Sequence, residues 1–229
     1  LEANPKQFEN FFKNSEISLD NLHVQDMKIM IPQALSDAGD ITLKEFSLGL
    51  DFNKGVFSMT LNVDDLAGSK KLIPATRRDE RQIVALLPEI LSISSKNDIG
   101  VRQSGSLGDV VFKPISLSVK DMGSFEISAD MKDLSDNVFR NDPTLVSLEL
   151  TLADSGAANA IFSIIAQDEG TTPANARSKA VAQLKMQEGA LQGPLLEANK
   201  ALQAFIENPG GVFKLSIKPE APMKLQELQ

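Results

Sequence analysis

A chain that alternates apolar and polar residues on both sides of a glycine-bearing turn, and then does so a second time, has few folds open to it. The stretch from Gly39 to Leu66 can be laid over the stretch from Gly108 to Leu134 with one single-residue gap at the turn. In the first copy Phe46, Leu48 and Leu50 lead to a turn at Asn53-Lys54-Gly55, and Phe57, Met59, Leu61 and Val63 resume the alternation. In the second, Ile115, Leu117 and Val119 lead to Asp121-Met122-Gly123, followed by Phe125, Ile127, Ala129 and Met131. Successive side chains of a strand point to opposite faces, so each copy is expected to be a β-hairpin with one dry and one wet face. Two such units predict a sheet built by adding hairpins. On this reading Leu48 and Leu117 are buried, whereas Ser47 and Ser116 face water.

Composition bounds what such a sheet can do. The 229 residues suffice to bury about 70 per cent of the unfolded surface, so a real core is expected. Acidic residues outnumber basic ones by 31 to 23, for a net charge of -8, and long-range repulsion disfavours nucleic acid or an anionic membrane surface as the main partner. Lys70, Lys71, Arg77, Arg78 and Arg81 are the one local basic run that could override this; it reads as a solvated loop and the start of a helix. Cysteine is absent, which removes disulfides, thiolate catalysis and zinc-thiolate sites and leaves the redox compartment open. The chain starts at Leu1 rather than Met and shows neither a signal peptide nor an apolar run of about 18 residues. A processed piece is expected, with any targeting or anchoring segment upstream.

Along the chain, Phe8, Phe11 and Phe12 with Pro5 have the spacing of an amphipathic helix over residues 4–14. From Ile17 to Ile31 the parity of the apolar positions switches twice, as in a strand with bulges or two short strands around Asp20-Asn21. Ile83, Leu86, Leu87 and Ile90 suggest a short helix that stops before Pro88 or bends there. A polar loop is expected from Ser94 to Gly108, and a polar connection from Asp136 to Asp142. Val146, Leu148, Leu150 and Leu152 make one more alternating strand. Helical periodicity follows: Ala157, Ile161, Ile164 and Ile165 up to Gly170, then a start at Thr172-Pro173, with Gly193-Pro194 dividing the remainder into two helices. Asn208-Pro209-Gly210-Gly211 ends the run, and Phe213, Leu215 and Ile217 form a closing strand.

Strands for two thirds, then helices, then a strand again predict an α+β fold with a mainly antiparallel, curved sheet of repeated hairpins covered by C-terminal amphipathic helices. One domain is expected over residues 1–229: strand-rich at 15–153 with hairpin repeats at 39–66 and 108–134, helical at 154–208, and a closing strand at 209–222.

The search for chemistry points away from catalysis. His23 is the lone histidine; between Leu22 and Val24 it should face solvent, and a serine triad would have to pass through it. Ser104-Gly105-Ser106-Leu107-Gly108 lacks the nucleophile-elbow spacing, and Gly68-Ser69-Lys70-Lys71 is no phosphate-binding loop. Asp130, Asp133 and Asp136, with Asp64 and Asp65 at the matching end of the first repeat, could approach a calcium ion but lack the order of ligands of an EF-hand loop. Solvated strand ends are the simpler reading. Met27, Met30, Met59, Met122 and Met131 could line an adaptable groove, although ordinary core explains them as well. No residue is expected to be catalytic, cofactor-binding or metal-binding.

The repeated hairpins that end in Asp-Leu, the helical segment and the closing run from Asn208 to Pro219 resemble bacterial cell-envelope proteins of the AsmA-like group and the YdgA type. The resemblance covers residues 15–153 and 208–222 and rests on pattern, not on a motif. It implies a periplasmic or envelope module tethered through a segment upstream of Leu1, without catalytic residues. The expectation is therefore a non-enzymatic module, structural or sheltering an apolar ligand such as an acyl chain between sheet and helices. The alternative is an interaction module that pairs with another envelope protein through an exposed edge strand. No cofactor and no nucleic acid partner are expected.

Overall fold

A computed structural model of the chain describes residues 16–31, 39–53, 55–104, 107–134, 143–224 and 227. The helix expected over 4–14 and the connection expected over 136–142 lie outside these residues. The described elements are β1 (Glu16–Ile29), β2 (Ile41–Asn53), β3 (Val56–Ser69), a 3-10 turn (Lys70–Leu72), α1 (Arg78–Leu86), β4 (Ile90–Ser104), β5 (Leu107–Val119), β6 (Gly123–Leu134) and β7 (Thr144–Asp154). Then come α2 (Ala157–Glu169), α3 (Pro173–Gln187), a second 3-10 turn (Glu188–Ala190), α4 (Gly193–Glu207), β8 (Val212–Ile217) and β9 (Met223–Lys224). All pairings are antiparallel, the order β1 to β8 follows the chain, and β9 pairs with β7. The fold is the expected α+β arrangement of an antiparallel, hairpin-built sheet followed by helices.

Both expected hairpins form, but they close differently. In the first, Leu48 stands opposite Leu61; in the second, Leu117 stands opposite Phe125. Phe125 is the counterpart of Phe57, four residues before Leu61. The displacement is even, so every side chain keeps its face. It is set by the three-residue loop after Val119, against a turn that ends at Gly55 with φ +82, and it persists to Gly108, opposite Leu134, because the two register shifts in the β5–β6 ladder cancel. The repeat thus conserves alternation, not register.

Cross-strand partners build continuous apolar rows. One runs Leu19, Leu50, Met59, Ile99, Phe112, Ala129, Leu148, Ile217; another runs Val24, Phe46, Val63, Ser95, Leu117, Phe125, Leu152, Phe213. Bulges keep the rows aligned where parity changes. The shift in β1 between Leu19 and Leu22 falls at Asn21 (φ +63), as the double parity change suggested, and the shift in β3 between Val63 and Leu66 falls at Asp65 (φ +50). Asp26 (φ +50) and Asp133 (φ +60) take the same left-handed conformation. Asn and Asp tolerate it better than other side chains, and in every case Leu or Met follows. These residues return the chain to the apolar face.

Two expectations fail. The segment from Ser94 to Gly108 is no polar loop: it belongs to β4 and β5, which pair from Ile93 with Val119 to Ser104 with Leu107. Ser95 and Asn97 occupy apolar-row positions and hide the alternation. Asn97 Nδ2 is turned to Ser95 Oγ at 2.9 Å and the Leu61 carbonyl at 3.4 Å, so the amide is not left without partners. Nor is the apolar face uniformly dry. Leu117 is 45 per cent exposed, whereas Ser116 is half-buried, because Leu117 faces an open cleft between sheet and helices.

The helices begin and end as their signals require. Thr172 accepts the Asn175 N–H at 3.2 Å ahead of Pro173, and Gly170 ends α2 in the left-handed conformation. The core lies between the helices and one end of the sheet, around Phe162, Ala166 and Ala176, with Ile165, Ala180 and Ile206 packed beside them. Asn199 and Gln203 on α4 are buried but bonded, Gln203 Nε2 to Glu188 Oε1 at 2.7 Å and Asn199 Nδ2 to the Leu184 carbonyl at 3.3 Å. They hold α4 to the end of α3.

Asp154 ties the two layers together. Its Oδ1 accepts N–H groups of Gly156 (3.1 Å) and Ala158 (2.9 Å) at the start of α2, and its Oδ2 that of Gly210 (2.7 Å) after α4. Burial works against the charged form, but backbone donors from Ala158, Gly210, Gly156 and Ala157 outweigh it and hold the carboxyl below the ordinary carboxylate range. The strand and helix also approach so closely that a Cβ on Gly156 would stand 2.6 Å from the Asp121 carbonyl.

Candidate functional site

Between the helices and the nearest end of the sheet runs a cavity of about 700 Å³ that is broadly open to solvent, of a volume found in small-molecule sites. Its floor is Leu91 and Ile93 of β4, Leu117 and Val119 of β5, Phe125 of β6 and Leu152 of β7. Ala158, Ile161 and Phe162 of α2 form one wall, Leu202, Phe205 and Ile206 of α4 another, and Ile73 and Leu87 close the side toward β3. Alternation on the strands and three- and four-residue spacing on the helices aim all these side chains at one volume. The polar residues among the lining are Ser124 and Asp154, and Asp154 is occupied by backbone donors. Chemically, such a site can take up an apolar body.

Area explains why the cavity exists. Eight strands about 4.8 Å apart and about 13 residues long present roughly 1,600 Å² on one face. Three helices of at most 15 residues, each about 22 Å by 10 Å, cover roughly 660 Å². Only α2 and α4 line the cavity, since α3 packs behind them against Phe162 and Ala166. Toward β1 the apolar rows emerge from cover, with Leu19, Leu22, Met27 and Ile29 exposed. This count could have been made from the sequence, and it is the signal that points to an incompletely covered face.

The structure disperses the chemistry-bearing residues. His23 is on the polar face opposite Ser47, as the alternation requires, 3.9 Å from Glu45 Oε1. Asp64 and Asp65 lie on that polar face beside a depression of about 500 Å³. Lys44 Nζ bonds Asp64 Oδ2 at 2.5 Å and lowers its pKa, while Ser92 Oγ donates to Asp65 Oδ1 at 2.6 Å. Asp133 accepts from Thr144 Oγ1 at 2.7 Å and lies 3.5 Å from Lys224 Nζ, and these contacts lower its pKa too. Asp130 faces Val111 and Ser147 in the ladders, and Asp136 is outside the described residues. Among the described residues, no three acidic or histidine side chains converge as a metal site would require.

Of the methionines, Met122 lines the cavity, whereas Met27, Met59 and Met131 lie in the apolar rows away from it and Met30 is exposed beyond β1. The basic run is partly engaged in local structure. Lys70 Nζ bonds the carbonyls of Leu87 (3.1 Å) and Ala85 (3.5 Å) at the C-terminal end of α1, where a cation meets otherwise unpaired acceptors. Glu80 Oε2 accepts the Thr76 and Arg77 N–H groups at 2.8 and 2.9 Å and so begins the helix.

Residues 116–229 match the model of a family described as "Uncharacterized protein", a likeness that starts within β5 and takes in all three helices of the cover. No curated protein and no solved structure matches the chain.

Proposed function

We propose that this chain is a non-enzymatic module that shelters an apolar ligand, an acyl chain or a molecule of similar shape, in the cavity between sheet and helices. The observation that carries the reading is a cavity of about 700 Å³ with a nearly unbroken apolar lining, continuous with rows that stay partly exposed. An empty apolar surface of this extent in water is unfavourable, and filling it recovers that loss. Burying about ten methylenes would contribute roughly 8 kcal/mol before the losses of association, enough for useful affinity after a substantial deduction. Placement in the bacterial envelope rests on the resemblance of the hairpins and closing strand. The alternative, pairing through β1 at the sheet edge, draws less support: the bulge at Asn21 and the left-handed Asp26 are features that keep an edge from accepting another strand.

Titration with cis-parinaric acid, a fluorescent fatty acid, tests the reading. The protein should bind it in a saturable manner, and Ile161→Arg should abolish binding at unchanged melting temperature, because Ile161 lines the cavity yet is 53 per cent exposed. Absence of probe binding, together with a native mass spectrum of purified protein that carries no lipid adduct, would overturn it.

A further inference from the structure

The segment that interrupts the β3–β4 hairpin carries more than the wall of the cavity. Residues 70–81 contain five basic and two acidic side chains in a chain of net charge -8, its densest run of basic residues. Lys70 is engaged at the end of α1 and Glu80 at its start. Lys71, Arg77 and Arg81 are exposed, Arg77 3.9 Å from Glu80 and Arg81 with Nη1 bonded to the Thr76 carbonyl. α1 continues into apolar side chains that are partly exposed: Ile83, 48 per cent, and Leu86, 37 per cent, directly before the cavity-lining Leu87. α1 packs on α2, whose exposed Ile161 also lines the cavity, and Leu117 on the floor is exposed as well. The β3–β4 connection, which supplies Ile73 and Leu87 to the cavity lining, thus combines cationic heads with apolar tips, the pairing found in elements that lie in the headgroup region of a bilayer.

We propose that this connection docks on an anionic phospholipid surface, with Lys71, Arg77 and Arg81 against the headgroups and Ile83 and Leu86 dipping below them, so that the cavity opens onto the acyl region. The local charge overrides the acidic average because screening confines each interaction to about 10 Å at ordinary salt. The proposal rests on reading the cavity as an apolar-ligand site, and the two can fail separately.

Vesicle co-sedimentation of the full chain tests it, with phosphatidylcholine vesicles and with vesicles in which one quarter is phosphatidylglycerol. The protein should pellet with the anionic vesicles only, and less so in high salt. Lys71→Glu/Arg81→Glu should weaken that binding by about ten-fold or more while leaving cis-parinaric acid binding in solution and the melting temperature unchanged; Ile83→Ser should weaken it independently of salt. Equal pelleting with both vesicle types, no pelleting, or full binding by the doubly reversed variant overturns the docking proposal. Anionic-vesicle binding by a protein that takes up no soluble fatty acid and carries no lipid adduct would leave the docking standing and remove the cavity reading instead.

Discussion

The two ends of the sheet carry the same sequence pattern and different fates. On β7 and β8 the apolar face is largely covered: Leu145 is 1 per cent exposed, Phe213 and Ile217 are buried, and Leu148, Leu150, Leu152 and Leu215 are half-buried. On β1 the equivalent positions are wet, with Leu22 at 50 per cent. Both sets lie on one face, linked row by row through the ladders. Alternation therefore selects a face; a covering layer decides burial. Asp154 fastens that layer to the end of β7.

The contrast can be broken by mutation. Leu145→Ala should cost about 2–5 kcal/mol in urea denaturation, and Leu22→Ala less than about 1 kcal/mol, since half its side chain is already in water. Equal losses would mean that the β1 end is covered too.

Asp154→Ala should cost about 1–3 kcal/mol, because it leaves the buried N–H of Ala158 without its acceptor and frees the part-buried N–H of Gly210. The acid limb of stability sharpens this. A carboxyl held below its unfolded value stabilises the fold above roughly pH 4, and that contribution is lost as pH falls through the lower folded value. Asp154→Asn should flatten this limb; an unchanged pH profile would show that the tie carries no weight.

Leu117→Asp should then cost only about 1 kcal/mol in the ligand-free protein, yet abolish fatty-acid binding by placing a charge in the cavity floor. Unfolding of this variant would mean that the floor is closed. The smallest effect is expected for His23→Ala on the polar face, within about 0.5 kcal/mol of wild type in thermal melts.

Much of this fold is legible from residues. Gly170, Thr172-Pro173 and Gly193-Pro194 punctuate the helices because their backbone preferences act locally. The parity change near Asn21 announces a bulge because only a left-handed or unpaired residue can switch faces within a strand. β4 is not legible, since Ser95 and Asn97 replace apolar row members and Pro88 makes its beginning look like the end of a helix. The four-residue register difference between the hairpins escapes for another reason: an even slip preserves the pattern by which register is read. Of the cavity, Phe125, Phe162 and Phe205 are plausible core from spacing alone, and their role depends on how far three helices can reach.

One consequence of the strand order concerns how the chain acquires this shape. Because β1 to β7 pair strictly with their neighbours in sequence, each ladder closes across a short separation, and loop-closure entropy remains small at every step. Strands can be added one at a time as the polypeptide emerges, without waiting for a distant partner. The exceptions are β8 and β9, which reach β7 only across the intervening helices. The closing of the β7–β8 ladder thus comes with the cover and completes the cavity.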